Sequence, residues 1–226
     1  MEAKRKLERY LIPVYLIIEA GLLVVIKVIE GTAGIRTIKT FEYLAIVCDV
    51  AVTLIFYLAY GRKREDRHEN WVALGMGITL IADLFLTFIG GKGLFTNLGV
   101  FCFCLIEIVY VIYLKSPLPS IIARIVLFVA LVVAALLLNV LTVTTGLAVL
   151  NISILLLNVI DAWAAKRFDP GILFQIGITL FFLGDICTGL REITHGSVHD
   201  VAAFLVWIFY LPTQVLITLH YVKRLR

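Results

Sequence analysis

Two aspartates lie within similar phrases in strongly apolar parts of the chain. The phrase GITLIADLF contains Asp83 and the phrase GITLFFLGDIC contains Asp185. Aligned on the acid, Gly75 and Gly177 each precede their aspartate by eight residues. A carboxylate in an apolar, membrane-embedded segment is costly unless it is paired or neutral, and it usually serves a function. The pattern therefore predicts that both aspartates belong to a functional site.

Further polar residues share helix faces in the apolar stretches that follow each aspartate. Glu107 and Tyr110 are three residues apart, and Tyr210 and Gln214 are four apart, so each pair lies on one face of a helix. Pro212, between the second pair, removes one backbone hydrogen bond. Tyrosines at this spacing are typical of packing, but beside two acids they become candidate walls of a site.

Other intramembrane polar residues favour a simpler interpretation. Glu19, Asp161 and Asn139 are expected at interfaces or in hydrogen bonds between helices. Asp161 lies close to one end of its apolar stretch, where Lys166 or Arg167 can meet it.

The composition indicates the elements that must position these residues. The 226 residues are 62% hydrophobic, with a mean hydropathy of +1.03, whereas soluble domains are about 45–50% apolar. Because backbone groups in lipid must satisfy one another within a span, apolar stretches of about 20 residues predict helices. Eight such stretches are present, at residues 10–29, 40–60, 71–89, 94–114, 120–141, 146–165, 171–190 and 200–221.

The predicted fold is thus an all-α integral membrane protein, with eight transmembrane helices in one bundle. The connections are short, so residues 1–226 form a single transmembrane domain. Asp83 lies in the third stretch and Asp185 in the seventh, and an offset of four helices preserves direction across the membrane. Residues 1–115 and 116–226 are therefore predicted to be two parallel four-helix repeats. We expect no helix broken by Gly or Pro around either acid.

Charge asymmetry predicts the orientation. Of the 20 lysines and arginines, 15 lie on the side of the membrane where both termini are predicted to lie. The other five are Lys27, Arg36, Lys39, Lys92 and Arg191. Since Lys and Arg concentrate on the cytoplasmic side, both termini are expected in the cytoplasm of a cell-membrane protein. The net charge of +4 then reflects topology and anionic lipid, and no nucleic-acid partner is expected.

Several chemistries lack their signatures. The chain has no GxSxG elbow, no HExxH element and no Gly-rich phosphate loop. The four cysteines show no CxxC spacing, and His195 and His199 alone are weak evidence for a metal. We expect neither a metal nor a cofactor.

Four segments together resemble the YhhN-like lysoplasmalogenase family. They are GITLIADLFL, FTNLGVFCFCLIEIVYVIYL, GITLFFLGDICTGL and VWIFYLPTQVLITL, and the resemblance covers nearly the whole chain. In that family a small-residue-rich helix in each half ends in an aspartate, which Asp83 and Asp185 match here. A Tyr–x–x–x–Gln element follows the second aspartate, and Tyr210 and Gln214 match it.

The first half resembles the family with three departures. Tyr110 matches the tyrosine of a His–x–x–Tyr element, but Glu107 stands where the family usually has His. In IKTFEYL, Lys39 resembles the lysine of a Lys-Pro stretch, and Thr40 replaces the proline. Ala82 precedes the first aspartate, where Gly is usual.

The resemblance implies a reaction of lipid metabolism, hydrolysis of the vinyl ether bond of lysoplasmalogens to a fatty aldehyde and a glycerophospho-alcohol. Protonation of the vinyl ether creates an oxocarbenium ion that water captures, so one protonated acid and one carboxylate are needed. Asp83 and Asp185 would be this acid–base pair, in either order. Lys39 would meet the phosphate of a lysophospholipid, and the residues lining its cavity would be Glu107, Tyr110, Asn158, Tyr210 and Gln214.

Two other classes stay open. A proton-coupled transporter of a small solute or lipid also fits parallel repeats with intramembrane acids, although unbroken helices favour it less. A non-catalytic protein that binds lysolipids is the third hypothesis, because Glu107 replaces the family's histidine.

Overall fold

The computed structural model describes residues 2–30, 32, 34–60, 68–89, 93–164 and 168–225. In these ranges it contains eight helices that are each long and apolar enough to cross a membrane, and no strand. The prediction of an all-α membrane protein is confirmed. The helices are α1 (Glu2–Ile29), α2 (Ile35–Ala59), α3 (Asn70–Asp83, continued by Leu84–Ile89), α4 (Leu94–Tyr113), α5 (Leu118–Leu137), α6 (Val143–Ala164), α7 (Ile172–Ile193) and α8 (Ser197–Arg224).

Helix α8 contacts helices from both the beginning and the end of the sequence. It packs along α7 and also touches α1, α2 and α3. Helix α4 lies between α3 and α6, while α5 packs against α6 at the periphery. The core between these helices is rich in aromatic residues, and its large buried side chains include Phe56, Tyr110, Phe174, Phe181 and Tyr221. Leucine, isoleucine and valine cover the outer surfaces, as lipid contact requires.

Two predicted boundaries are wrong in an informative way. Helix α2 begins at Ile35, so Lys39 lies inside it. Helix α5 ends at Leu137, and Asn139 lies in the following turn with φ 54°. Apolar residues continue past this turn, so hydropathy alone extends the stretch to 141. Asparagine is among the few residues that tolerate a left-handed conformation, which ends the helix here.

The helix around Asp83 departs from regular α geometry. Directly after Asp83, residues Leu84–Ile89 form a π-helical segment, although they contain neither Gly nor Pro. By contrast, α7 stays α-helical from Ile172 past Asp185 to Ile193. The expectation of uninterrupted helices around both acids therefore holds for Asp185 and fails for Asp83. Segments of π-helix are rare and occur frequently at functional sites.

Candidate functional site

Asp83 is held by a tyrosine from the other half of the chain. The Tyr210 hydroxyl on α8 donates a hydrogen bond of 2.5 Å to Asp83 Oδ2. The aspartate is only 3% exposed, and Thr87, in the π-helical segment, also bonds to it. The π-helical turn thus brings a hydroxyl onto the acid that precedes it.

Asp185 has a different partner. The Asn151 side-chain amide on α6 donates a hydrogen bond of 2.7 Å to Asp185 Oδ2. This aspartate is half-buried, and so it is more accessible than Asp83. An amide nitrogen only donates, whereas a phenolic hydroxyl both donates and accepts. The two acids therefore differ in what their partners can do with a proton.

Tyr210 is linked to both acids. Its hydroxyl binds Asp83, and Tyr210 also interacts electrostatically with Asp185. Helix α8 lies close to Gly184, where an added Cβ would be in ordinary contact, 3.6 Å from Phe209 Cβ and 3.9 Å from the Tyr210 backbone nitrogen. The ring of Tyr210 packs against the rings of Phe103, Phe181 and Trp207.

Glu107 and Asn158 form a separate, deeper layer that borders the aspartates. Asn158 Nδ2 donates to Glu107 Oε2 at 2.7 Å and to the Glu107 backbone carbonyl at 2.9 Å. Glu107 is fully buried, and its Oε1 has no hydrogen-bond partner. Electrostatic interaction links Glu107 to Asp185. The structure thus brings these two predicted site residues together and connects them to the second aspartate.

A buried arginine extends this layer. Arg124 donates to Asn158 Oδ1 at 2.7 Å and pairs with Asp161 at 2.8 Å, and Ser120 bonds to the same carboxylate at 2.8 Å. Arg124 lies in the predicted stretch 120–141, and its side chain is buried within α5. Asp161 makes the interhelical contact expected of it. The suggested partners at 166 and 167 lie outside the described residues.

Tyr110 supports the packing of α3 on α4. A Cβ added at Gly75 would lie 2.9 Å from Tyr110 Cε1, so only glycine lets the ring sit there. The ring also meets Phe174 edge-on at 5.2 Å. Tyr110 is one turn from Glu107 on α4, and the structure places both in the interior as the spacing predicts.

Gln214 and Lys39 occupy the two ends of the region. Gln214 is buried one turn beyond Tyr210, and its Oε1 has no hydrogen-bond partner. Lys39 is half-buried near the start of α2. Its charge acts on Glu42, and Glu42 in turn interacts electrostatically with Asp83. Lys39 is therefore linked to the first aspartate through Glu42.

Sequence reasoning missed two partners of the aspartates. Asn151 lies seven residues before Asn158, so both face the same side of α6. This spacing was a usable signal, because Asn158 was already a candidate. Thr87 lies four residues after Asp83, and this helical spacing was also a usable signal.

Two cavities lie away from the aspartates. One of about 260 Å³ at the α7–α8 end of the bundle is apolar, and Cys187, Leu190 and Val201 are among its lining residues. Another of about 410 Å³ is more polar and lies between the start of α7 and the end of α8. Neither has Asp83 or Asp185 in its lining.

A polar cluster at one end of the bundle joins Glu69, which lies outside the spans just before α3, to residues of α4 and α8. The Tyr113 hydroxyl donates to Glu69 Oε2 at 3.1 Å and contacts His220 Nε2 at 2.6 Å, and His220 Nε2 lies 3.7 Å from Glu69 Oε2. Burial alone would raise the pKa of Glu69. The nearby His220, the hydrogen bond from Tyr113 and the positive charge of Arg224 outweigh burial and lower this pKa.

These features define an integral membrane protein whose buried acids are held by partners on other helices. The YhhN family model matches residues 41–221. This match covers most of the chain and includes every predicted site residue except Lys39, so the protein belongs to the YhhN family. No curated protein and no solved structure matches it.

Proposed function

We propose that this protein hydrolyses the vinyl ether bond of lysoplasmalogens within the membrane, as a lysoplasmalogenase. The observation that carries the proposal is the hydrogen bond from Tyr210 to the buried Asp83, together with the electrostatic interaction between Tyr210 and Asp185. Membership of the YhhN family, for which lysoplasmalogenase activity is known, supports it.

The difference between the partners supports a division of roles. The Tyr210 hydroxyl can exchange a proton with Asp83, because it both donates and accepts. We therefore assign Asp83 as the proton donor. The Asn151 side-chain nitrogen only donates hydrogen bonds, so it is a suitable partner for an Asp185 oxygen that remains an acceptor. Asp185 is accordingly the carboxylate that stabilises positive charge.

The first half of the reaction is protonation and hydration. Asp83 transfers its proton to the β-carbon of the vinyl ether, and the C=C π electrons form the new C–H bond. The resulting oxocarbenium ion lies opposite the Asp185 carboxylate, which attracts it and accepts a proton from the attacking water. The product is a hemiacetal, with Asp83 ionised and Asp185 protonated.

The second half restores both acids. The hemiacetal hydroxyl returns a proton to Asp83 as its oxygen forms the aldehyde C=O bond. The C–O bond to glycerol breaks, and the leaving oxygen takes the proton of Asp185. Substrate and one water have become a fatty aldehyde and a glycerophospho-alcohol, and no metal or cofactor enters the balance.

The surroundings suit a single-chain lipid. Lys39 lies one turn into α2, near the end of the bundle where this helix begins. Lys27 and Arg191 add positive charge around Glu42 there. A lysolipid phosphate would bind at this end, with its vinyl ether toward Asp83. Glu107, Tyr110, Asn158, Tyr210 and Gln214 would line the deeper part. With both termini in the cytoplasm and the helices in the cell membrane, the end of the bundle that binds the phosphate would face the outside of the cell.

The decisive experiment is aldehyde release from a synthetic lysoplasmalogen by the purified full-length protein. Wild type should release aldehyde, while Asp83→Asn and Asp185→Asn should each lose turnover by about 10²–10⁴-fold. Asp200→Asn is the matched control, because Asp200 is exposed at the start of α8. Wild-type rates in both site variants would refute the assignment.

A proton-coupled transporter is the second candidate, and the π-helical segment after Asp83 favours it. Such a segment marks a helix that departs from regular geometry next to an intramembrane acid. Proton-driven solute uptake by sealed proteoliposomes, with no aldehyde formed, would support this function. Saturable lysolipid binding with neither flux nor aldehyde would support the non-catalytic hypothesis.

A further inference from the structure

A second pair of buried acids lies where α1, α2 and α8 meet. Glu19 on α1 is 3% exposed and Asp49 on α2 is fully buried. Both lie near the middle of their spans. The proposed reaction uses neither of them.

Most of the carboxylate oxygens of this pair lack donors. Both oxygens of Glu19 and the Oδ2 of Asp49 are buried without a hydrogen-bond partner. Only the Oδ1 of Asp49 is bonded, by the Tyr15 hydroxyl. Buried polar atoms in proteins are almost always paired, and breaking that rule with two acids is costly. These three open acceptors on the neighbouring helices α1 and α2 can be satisfied by a bound cation.

Hydroxyl oxygens complete the cluster. Tyr15 is one turn from Glu19 on α1, and Thr53 is one turn from Asp49 on α2. Thr218 of α8 lies 3.4 Å from Thr53, oxygen to oxygen, and it also bonds to Tyr15. All three are nearly or fully buried. Since α1 and α2 run in opposite directions, the three hydroxyls lie on one side of the two acids, toward the N-terminal end of the bundle.

We propose that Tyr15, Glu19, Asp49, Thr53 and Thr218 bind one sodium ion. An all-oxygen set of carboxylates and hydroxyls suits a hard cation. Mg²⁺ usually keeps several waters and Ca²⁺ takes six to eight oxygens, and five closely packed side chains from three helices match neither requirement. Sodium would contact the open oxygens of Glu19 and Asp49 and cancel one of the two negative charges.

The site borders the first aspartate without belonging to it. Asp49 interacts electrostatically with both Glu19 and Asp83, so the two acid groups are coupled by charge. The inference does not depend on the proposed hydrolysis, because it concerns oxygens that the reaction leaves aside.

The test is sodium-dependent thermal stability of the full-length protein in detergent, with NaCl replaced stepwise by choline chloride at constant ionic strength. Sodium at about 100 times its dissociation constant should raise the melting temperature by about 5–10 °C. Binding of ²²Na⁺ should saturate at about one ion per chain, as five ligands around a single pair of acids imply.

Variants connect the effect to the site. Glu19→Gln and Asp49→Asn should each abolish the sodium-dependent shift, and Thr218→Val should weaken it, while Asp200→Asn should retain it. A wild type that shows neither a shift nor ²²Na⁺ binding would overturn the proposal. So would an equal shift in the Glu19→Gln/Asp49→Asn double variant, which must first be shown to fold by a cooperative melt.

Discussion

Asp83 and Asp185 occupy matching phrases but different surroundings. Asp83 is almost fully buried, is bonded by a tyrosine and is followed by a π-helical turn. Asp185 is half-buried, is bonded by an asparagine and continues into regular α-helix. The difference teaches that a shared phrase does not fix the surroundings of an acid, because its hydrogen-bond partners come from neighbouring helices.

The partners come from across the chain. Tyr210, on the helix after Asp185, binds Asp83, and Glu107, on the helix after Asp83, interacts with Asp185. Asp83 is thus bonded by a residue of the opposite half, whereas Asp185 is bonded by Asn151 of its own half and only interacts electrostatically with the other. The surroundings of Asp83 therefore require α3 and α8 to pack together.

The largest effect should come from removing the acids themselves. Asp83→Ala and Asp185→Ala should each reduce aldehyde release by about 10²–10⁴-fold. Added formate should restore part of the activity to Asp185→Ala alone, because formate at neutral pH supplies a carboxylate and no proton. Rescue of Asp83→Ala instead would reverse the roles, and the measurement is initial rate against formate concentration.

The hydrogen-bond partners should have a smaller effect. Tyr210→Phe removes the 2.5 Å bond to Asp83, and Asn151→Leu removes the 2.7 Å bond to Asp185. A hydrogen bond to a charged group contributes about 1.5–3 kcal/mol, so each variant should lose about 10- to 100-fold in kcat/KM. We expect the greater loss in Tyr210→Phe, since this hydroxyl serves both acids.

An exposed tyrosine provides the control for the partner variants. Tyr10→Phe makes the same chemical change at a residue that is 66% exposed, and it should leave kcat/KM unchanged. A loss of kcat/KM in Asn151→Leu but not in Tyr210→Phe would mean that Asp83 does not require the hydrogen bond from Tyr210 on α8.

Helix packing in the first half should be sensitive to one methyl group. Gly75→Ala would place a Cβ 2.9 Å from the Tyr110 ring, so we expect destabilisation of about 1–3 kcal/mol. Gly77→Ala, in the same helix, meets nothing within 4 Å and should be neutral or stabilising by up to about 1 kcal/mol. Melting temperatures in detergent measure both, and equal values would contradict the close approach of α4.

The smallest effect is expected at Glu69, an acid outside the spans that serves as a reference for Asp83 and Asp185. The pKa of Glu69 is lowered below its ordinary value of 4.5, so its ionised form stabilises the folded protein. That contribution is present above pH 4.5 and is lost as the pH falls through the lowered pKa. The difference in melting temperature between wild type and Glu69→Gln should therefore shrink below pH 4.5. A difference that grows on acidification would contradict the lowered pKa.

Much of the fold follows from local pattern. Apolar stretches of span length predict the eight helices because lipid leaves the backbone no other partner. The spacing of Glu107 and Tyr110 predicts their shared face, since helix periodicity is local. The end of α5 was missed because Asn139 adopts a left-handed conformation amid apolar residues. Arg124 is buried in the same helix, where an ion pair with Asp161 on α6 compensates its charge.

By itself, the sequence determined the membrane class, the number of helices and the presence of two acids in matching apolar phrases. These depend on hydropathy and helical rise, which are properties of neighbouring residues. Only the tertiary structure decided that Tyr210 binds Asp83, that Asn151 binds Asp185 and that Glu19 faces Asp49. Such pairings depend on which helices pack together and at what rotation. Glycines and a π-helical turn set that geometry through contacts between residues far apart in the chain.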